Sequence, residues 1–102
     1  MVLFEVADEL EAQKKFRFAE QLRGAVLSIT NNIAEGSGSW SNREFGQFLN
    51  ISRRSTFESA NMLLLFERAR ILPHVKAEEC LSDLEVVSKM LEAFRKSVTA
   101  AR

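Results

Sequence analysis

The chain has no tyrosine and only four glycines in 102 residues, with one proline, one cysteine, one histidine and one tryptophan. Each shortage excludes something. A single cysteine, Cys80, cannot close an internal disulfide, which fits a reducing cytoplasm and a small buried core residue. A single histidine, His74, follows Pro73 with no Glu three residues before it, so the Glu-x-x-His pairs of di-metal bundles are missing, and no Cys/His cluster has zinc spacing. No metal or other cofactor is expected. The N-terminus lacks a basic-then-apolar signal pattern, and no apolar run approaches the roughly 18 residues of a membrane span. Fourteen basic side chains against fourteen acidic ones leave no formal charge, so any affinity for nucleic acid or an anionic surface must be local.

With so little punctuation, helix is the reading that the sequence supports. Phe18, Leu22, Ala25, Val26, Ile29 and Ile33 recur at three- and four-residue steps and share one helical face. Gly36 is expected to close that helix in a positive-φ conformation. Ser41 and Glu44 then form the S-x-x-E capping box, with Trp40 and Phe45 at the two positions of a hydrophobic staple. The connection from Gly36 to Trp40 is short enough to make its flanking helices antiparallel neighbours. A third helix runs from Asn42 to about Leu72, with Phe45, Phe48, Leu49, Ser52, Thr56, Ala60 and Leu63 along one stripe. Ser52, Ser55, Ser59 and Ala60 are small enough for a neighbour to come close. Pro73 ends this helix, and a last one of about 25 residues carries Leu81, Leu84, Val87, Leu91, Phe94 and Val98 inward. Glu78, Glu79, Asp83 and Lys89 face outward. Residues 2–12 read as a short amphipathic helix, either separate or continuous with the next as one bent helix. The whole is expected to be one domain over residues 1–102, an all-α antiparallel up-and-down four-helix bundle with a shortened first helix.

Two stretches depart from ordinary helix composition. Ser28, Asn32 and Glu35 share a face near the end of the second helix, where asparagine and a carboxylate are both unfavourable. With Ser41 and Glu44 they are expected to form a polar turn network, Glu35 accepting backbone N–H bonds from the loop or from the next helix start. A polar recess presented to a ligand is the sharper alternative. Met62, Leu63, Leu64, Leu65 and Phe66 cover every side of one helical turn, so burial all round is expected. The intramolecular neighbours cannot cover all of it, which makes Met62, Leu64, Leu65 and Phe66 a candidate oligomer interface.

The stretch "QLRGAVLSITNNIAEGSGSWSNREFGQFLNISRRSTFE" resembles the bacterial four-helix-bundle family of proteins encoded within intervening sequences of large-subunit ribosomal RNA genes. The pattern runs through Gln21, Leu22, Arg23, Ala25, Ser28, Ile29 and Asn32-Ile33-Ala34-Glu35-Gly36. It resumes at Glu44, Phe45, Phe48, Leu49, Ile51, Ser52, Ser55 and Glu58. Gly24 stands where a second arginine is usual and Thr30 where proline is often found, which weakens the basic surface of the second helix. The resemblance implies a ring-shaped homopentamer without enzymatic activity. A related group, the accessory proteins of diversity-generating retroelements, binds a reverse transcriptase and nucleic acid.

The chemistry agrees with a non-enzyme, since "GSGSW" matches neither the nucleophile-elbow nor the P-loop pattern. Residues 14–54 hold Lys14, Lys15, Arg17, Arg23, Arg43, Arg53 and Arg54 against Glu20, Glu35 and Glu44, a local excess of four positive charges. A solvated helix surface is the commoner meaning of such a stretch, and no aromatic residues interleave with these charges in a stacking pattern. If the protein binds RNA or DNA, the expected contacts are Lys14, Lys15, Arg43, Arg53 and Arg54. The alternative is an adaptor ring that binds a protein partner such as a reverse transcriptase. Pairing the second and third helices about the turn near Ser39 brings Arg23 and Glu58 within one turn of each other, so an ion pair across that seam is expected.

Overall fold

The computed structural model describes residues 2–100, apart from the Val2 side chain, as four helices: α1 (Val2–Ala12), α2 (Phe16–Ser37), α3 (Asn42–Arg68) and α4 (His74–Ala100). They form the expected up-and-down bundle, measuring 49 × 21 × 18 Å. Neighbours in sequence are neighbours in space: α1 packs on α2, α2 on α3, and α3 on α4. The core is built from the predicted stripes, with Leu22, Val26 and Ile29 of α2, Leu49 and Leu63 of α3, and Cys80, Leu84 and Leu91 of α4 all buried. Leu3, Val6, Ala7 and Leu10 complete it from α1.

The first two helices are separate rather than one bent rod. Lys14 takes φ 64°, and the N–H groups of Lys14 and Lys15 return to the carbonyls of Glu11 and Leu10 at 2.9 Å each. That is a Schellman turn with a lysine in the place usually held by glycine. The same device ends α3, where Arg70 takes φ 59°, its N–H reaches the Glu67 carbonyl, and Ile71 N–H reaches the Phe66 carbonyl. A left-handed non-glycine residue costs roughly 1–2 kcal/mol, part of which the favourable placing of a cation at a helix C-terminus offsets.

Gly36 works differently from expectation. No glycine among the described residues has positive φ, and α2 runs on to Ser37. Gly36 is buried where α3 crosses closest, so that a Cβ there would lie 2.7 Å from Phe45 Cδ1 and 2.8 Å from Phe48 Cβ. Close approach of two helices, and not a left-handed turn, is what demands glycine. The Ser41 half of the capping box forms as read, Ser41 Oγ accepting the Glu44 N–H at 3.1 Å. The hydrophobic staple does not. Phe45 is held between Gly36 and the edge of Phe94 (ring centroids 5.3 Å apart), and Trp40 is left 101% exposed.

Because α1 has only 11 residues against 22 in α2, it walls one half of the bundle. Beyond its first turn an apolar groove of about 220 Å³ opens between Leu3, Val26, Ile29, Ile33, Leu84 and Val87. Met90 and Phe94, further along α4, are exposed, Phe94 despite its predicted inward position.

Candidate functional site

The polar residues of the α2–α3 seam form a directional chain of hydrogen bonds. Ser55 donates its one hydroxyl proton to the Ile51 carbonyl, so Ser28 supplies the proton of the 2.8 Å Ser28–Ser55 bond. Asn32 Nδ2 in turn donates to Ser28 Oγ (3.0 Å) and to the Ser28 carbonyl (2.7 Å). Ser52, fully buried, donates across the seam to the Ile29 carbonyl at 2.6 Å, and Ser59 to the Ser55 carbonyl at 2.9 Å. These small hydroxyl side chains let α2 and α3 approach closely while leaving no polar group idle.

Glu35, Ser41 and Glu44 do not join that chain. Glu35 points to solvent, and it is its backbone carbonyl, not its carboxylate, that accepts the Gly38 N–H. α2 continues through Gly36 to Ser37, and the Glu35 side chain stays on its exposed side. Ser41 and Glu44 cap α3 separately. The expected single network is therefore two structures, a seam and a cap, each satisfied internally.

The Arg23–Glu58 ion pair is overturned. Arg23 extends to the other neighbour of α2, with Nη1 2.6 Å from Glu11 Oε2 and Nη2 2.6 Å from Asp8 Oδ1. Two carboxylates on α1 outcompete one across the seam, and they hold the guanidinium firmly in its charged form. Glu58 instead lines a shallow depression with Gln21, Gly24, Ser28 and Met62.

The five candidate nucleic-acid contacts do not form one face. Lys14 and Lys15 lie at the α1–α2 corner, while Arg43 sits past the far end of α2, about 33 Å away by the helix rise. Arg53 and Arg54 are midway along α3. Arg53 is engaged locally, its guanidinium stacked 5.2 Å from the centre of the Phe57 ring and 3.4 Å from Asn50 Oδ1. Arg54 is exposed.

The turn at Met62–Phe66 is not buried all round. Phe66 is buried and packs on Phe18 (centroids 5.4 Å apart), and Met62 is half-buried against the core. Of the candidate oligomer surface only Leu64 and Leu65 face solvent, at 47% and 56% exposure. The reason is angular: α2 and α4 flank α3, and the arc between them that faces away from the bundle has no neighbour.

The expectation that no aromatic residue interleaves with the basic charges fails at the start of α2. Lys14-Lys15-Phe16-Arg17-Phe18 alternates cations with aromatic rings, and Phe16 and Phe18 are 57% and 40% exposed.

A model of one protein family, the 23S rRNA-intervening sequence proteins, matches residues 1–93. The chain belongs to this family. The match takes in all of α1, α2 and α3 and most of α4, so the bundle as a whole, and not merely its central hairpin, is that of a 23S rRNA-intervening sequence protein. No curated protein and no solved structure matched the chain.

Proposed function

We propose that this 23S rRNA-intervening sequence protein is a non-enzymatic module that works as a homo-oligomer and binds RNA or other nucleic acid. The observation that carries self-association is exposed apolar surface on α4, where Met90 and Phe94 face solvent. Leu64 and Leu65 add a second apolar strip on the outer arc of α3. Covering two such side chains contributes roughly 3–6 kcal/mol per subunit, and two different patches on one chain suit the head-to-tail interface of a closed ring.

Against catalysis stands the use already made of the reactive side chains. His74 is held between Glu67 and Glu78, Cys80 is buried, and the seam hydroxyls are committed to backbone carbonyls or, for Ser28, to Ser55. Nucleic-acid binding rests on exposed cations that have no carboxylate partner. An adaptor role toward a protein is favoured by one specific feature, the fully exposed Trp40 at the tip of the hairpin.

Light scattering on dilute protein tests the assembly. A mass of several chains is expected, and a concentration-independent mass near 11.6 kDa would overturn it. Titration of the assembled protein with structured RNA at several salt concentrations tests the ligand, since phosphate contacts must weaken linearly in log salt.

A further inference from the structure

We propose that the end of the bundle where the α1–α2 and α3–α4 corners meet binds a single-stranded polynucleotide, with Lys14, Lys15, Arg17, Arg68 and Arg70 on its phosphates and Phe16 stacked on a base. The proposal rests on the nucleic-acid reading above and moves it from Arg43, Arg53 and Arg54 to a place where unpaired cations gather.

The two corners are one surface. Phe18 of α2 packs on Phe66 of α3, and Gln13 and Glu9 share a depression of about 470 Å³ with Arg70 and His74. None of the five cations has a carboxylate partner among the described residues. Of the acids nearby, Glu79 is offset by Lys76, while Glu67 and Glu78 share His74 and Asp8 and Glu11 share Arg23, so each of these two clusters keeps a net negative charge. Glu9 and Glu20 add to that negative charge, so what distinguishes the five cations is that they are unpaired, and not a large net charge.

Local physics accounts for only some of these charges. Lys15 and Arg17 sit at the N-terminus of α2, where the helix dipole is already positive, with no side-chain cap and no acidic residue in the first turn. Lys14 and Arg70 occupy the two left-handed positions of the described chain, both in Schellman turns where glycine is the ordinary choice. Five unpaired cations, two of them at left-handed positions, thus gather at one end around an exposed ring. Cations without a carboxylate partner are free to meet phosphates.

The exposed ring selects the strand type. Phe16 is 57% exposed and flanked by Lys15 and Arg17, and an aromatic face can stack only on a base that is free of its own duplex. The surface is built of two tight corners and presents no helix side that could enter a groove.

The test uses the full chain and a fluorescent oligouridylate of about 12 nucleotides, with oligothymidylate of equal length as a second probe. Lys14→Gly with Arg70→Gly removes two charges and supplies the residue that each turn accepts most easily, so helical circular dichroism and the unfolding transition should be kept. This variant should bind several-fold more weakly, and its slope of log affinity against log salt should fall by roughly 1.4, at about 0.7 per lost phosphate contact on a single strand. Phe16→Ala should lose about tenfold with the salt slope unchanged, the mark of stacking and not of charge. If the parent binds the oligonucleotides and both variants bind as tightly with the same slope, the corner is not the site, although the nucleic-acid reading stands. If the parent binds neither oligonucleotide, that reading fails as well. Binding to vesicles of anionic lipid without binding to oligonucleotide would overturn both in favour of a membrane surface.

Discussion

Gly36 and Phe45 lie so close that a single methyl group cannot be placed between them: a Cβ on Gly36 would come within 2.7 Å of the Phe45 ring. Phe45 cannot swing aside freely, because its other face meets Phe94 of α4. The α2–α3 hairpin is thus set by one missing side chain. Gly36→Ala should destabilise the fold by about 1–3 kcal/mol through overpacking. Gly24→Ala is the control, since nothing lies within 4 Å of a Cβ there and a helix interior should gain about 0.5–1 kcal/mol from it. Chemical denaturation of both variants checks the contrast, and equal effects would mean that helix propensity alone governs Gly36.

Arg23 ties α1 to α2 through Asp8 and Glu11. Arg23→Gln should therefore raise amide hydrogen exchange over residues 2–12 more than elsewhere. Salt should loosen the same helix in the parent, because both carboxylates are at least half exposed. A double-mutant cycle should show coupling of Arg23 to Asp8 and none to Glu58. Coupling to Glu58 would restore the ion pair across the seam.

His74 makes stability depend on pH in a defined direction. Hydrogen bonding to Glu67, its carboxylate charge, and Glu78 beyond it raise the imidazole above its ordinary 6.5. The protonated form is the one stabilised, so the contribution is fully present below 6.5 and fades as pH rises through the raised folded value. The unfolding temperature should fall as pH rises from 6.5 through the raised folded value, and His74→Gln should flatten that part of the profile. An unchanged profile in the variant would show that the pair adds nothing.

Cys80 is fully buried, and burial pushes its thiol up to about 11. At about pH 8 only about one thiol in a thousand is then ionised, so iodoacetamide should label the native protein very slowly and the unfolded chain promptly. Rapid labelling of the native state would reveal frequent opening of the α4 packing. The raised value also means that the unfolded state gives up this proton first, so stability should decline as pH climbs above the ordinary 9.0.

By itself the sequence determined the helices, their order and most of their buried faces. The periodicity of Leu22, Val26 and Ile29 and the Ser41–Glu44 cap are local features, and helix formation and capping are decided within a few residues. The stop expected at Pro73 comes earlier, after Arg68, where the left-handed Arg70 turns the chain. Which residues meet across helices was not legible in the same way. Arg23 had carboxylates within reach on two neighbours, and only packing chose α1. Phe45 could have met Trp40 in its own turn, but Phe94 and the bare face of Gly36 offered more contact. The run from Met62 to Phe66 is apolar throughout, and the positions of α2 and α4 around α3 decided that Phe66 is covered while Leu64 and Leu65 face water. The gathering of cations at one end follows from the same cause. Lys14 and Arg70 are 56 residues apart, and an up-and-down topology alone brings their corners together.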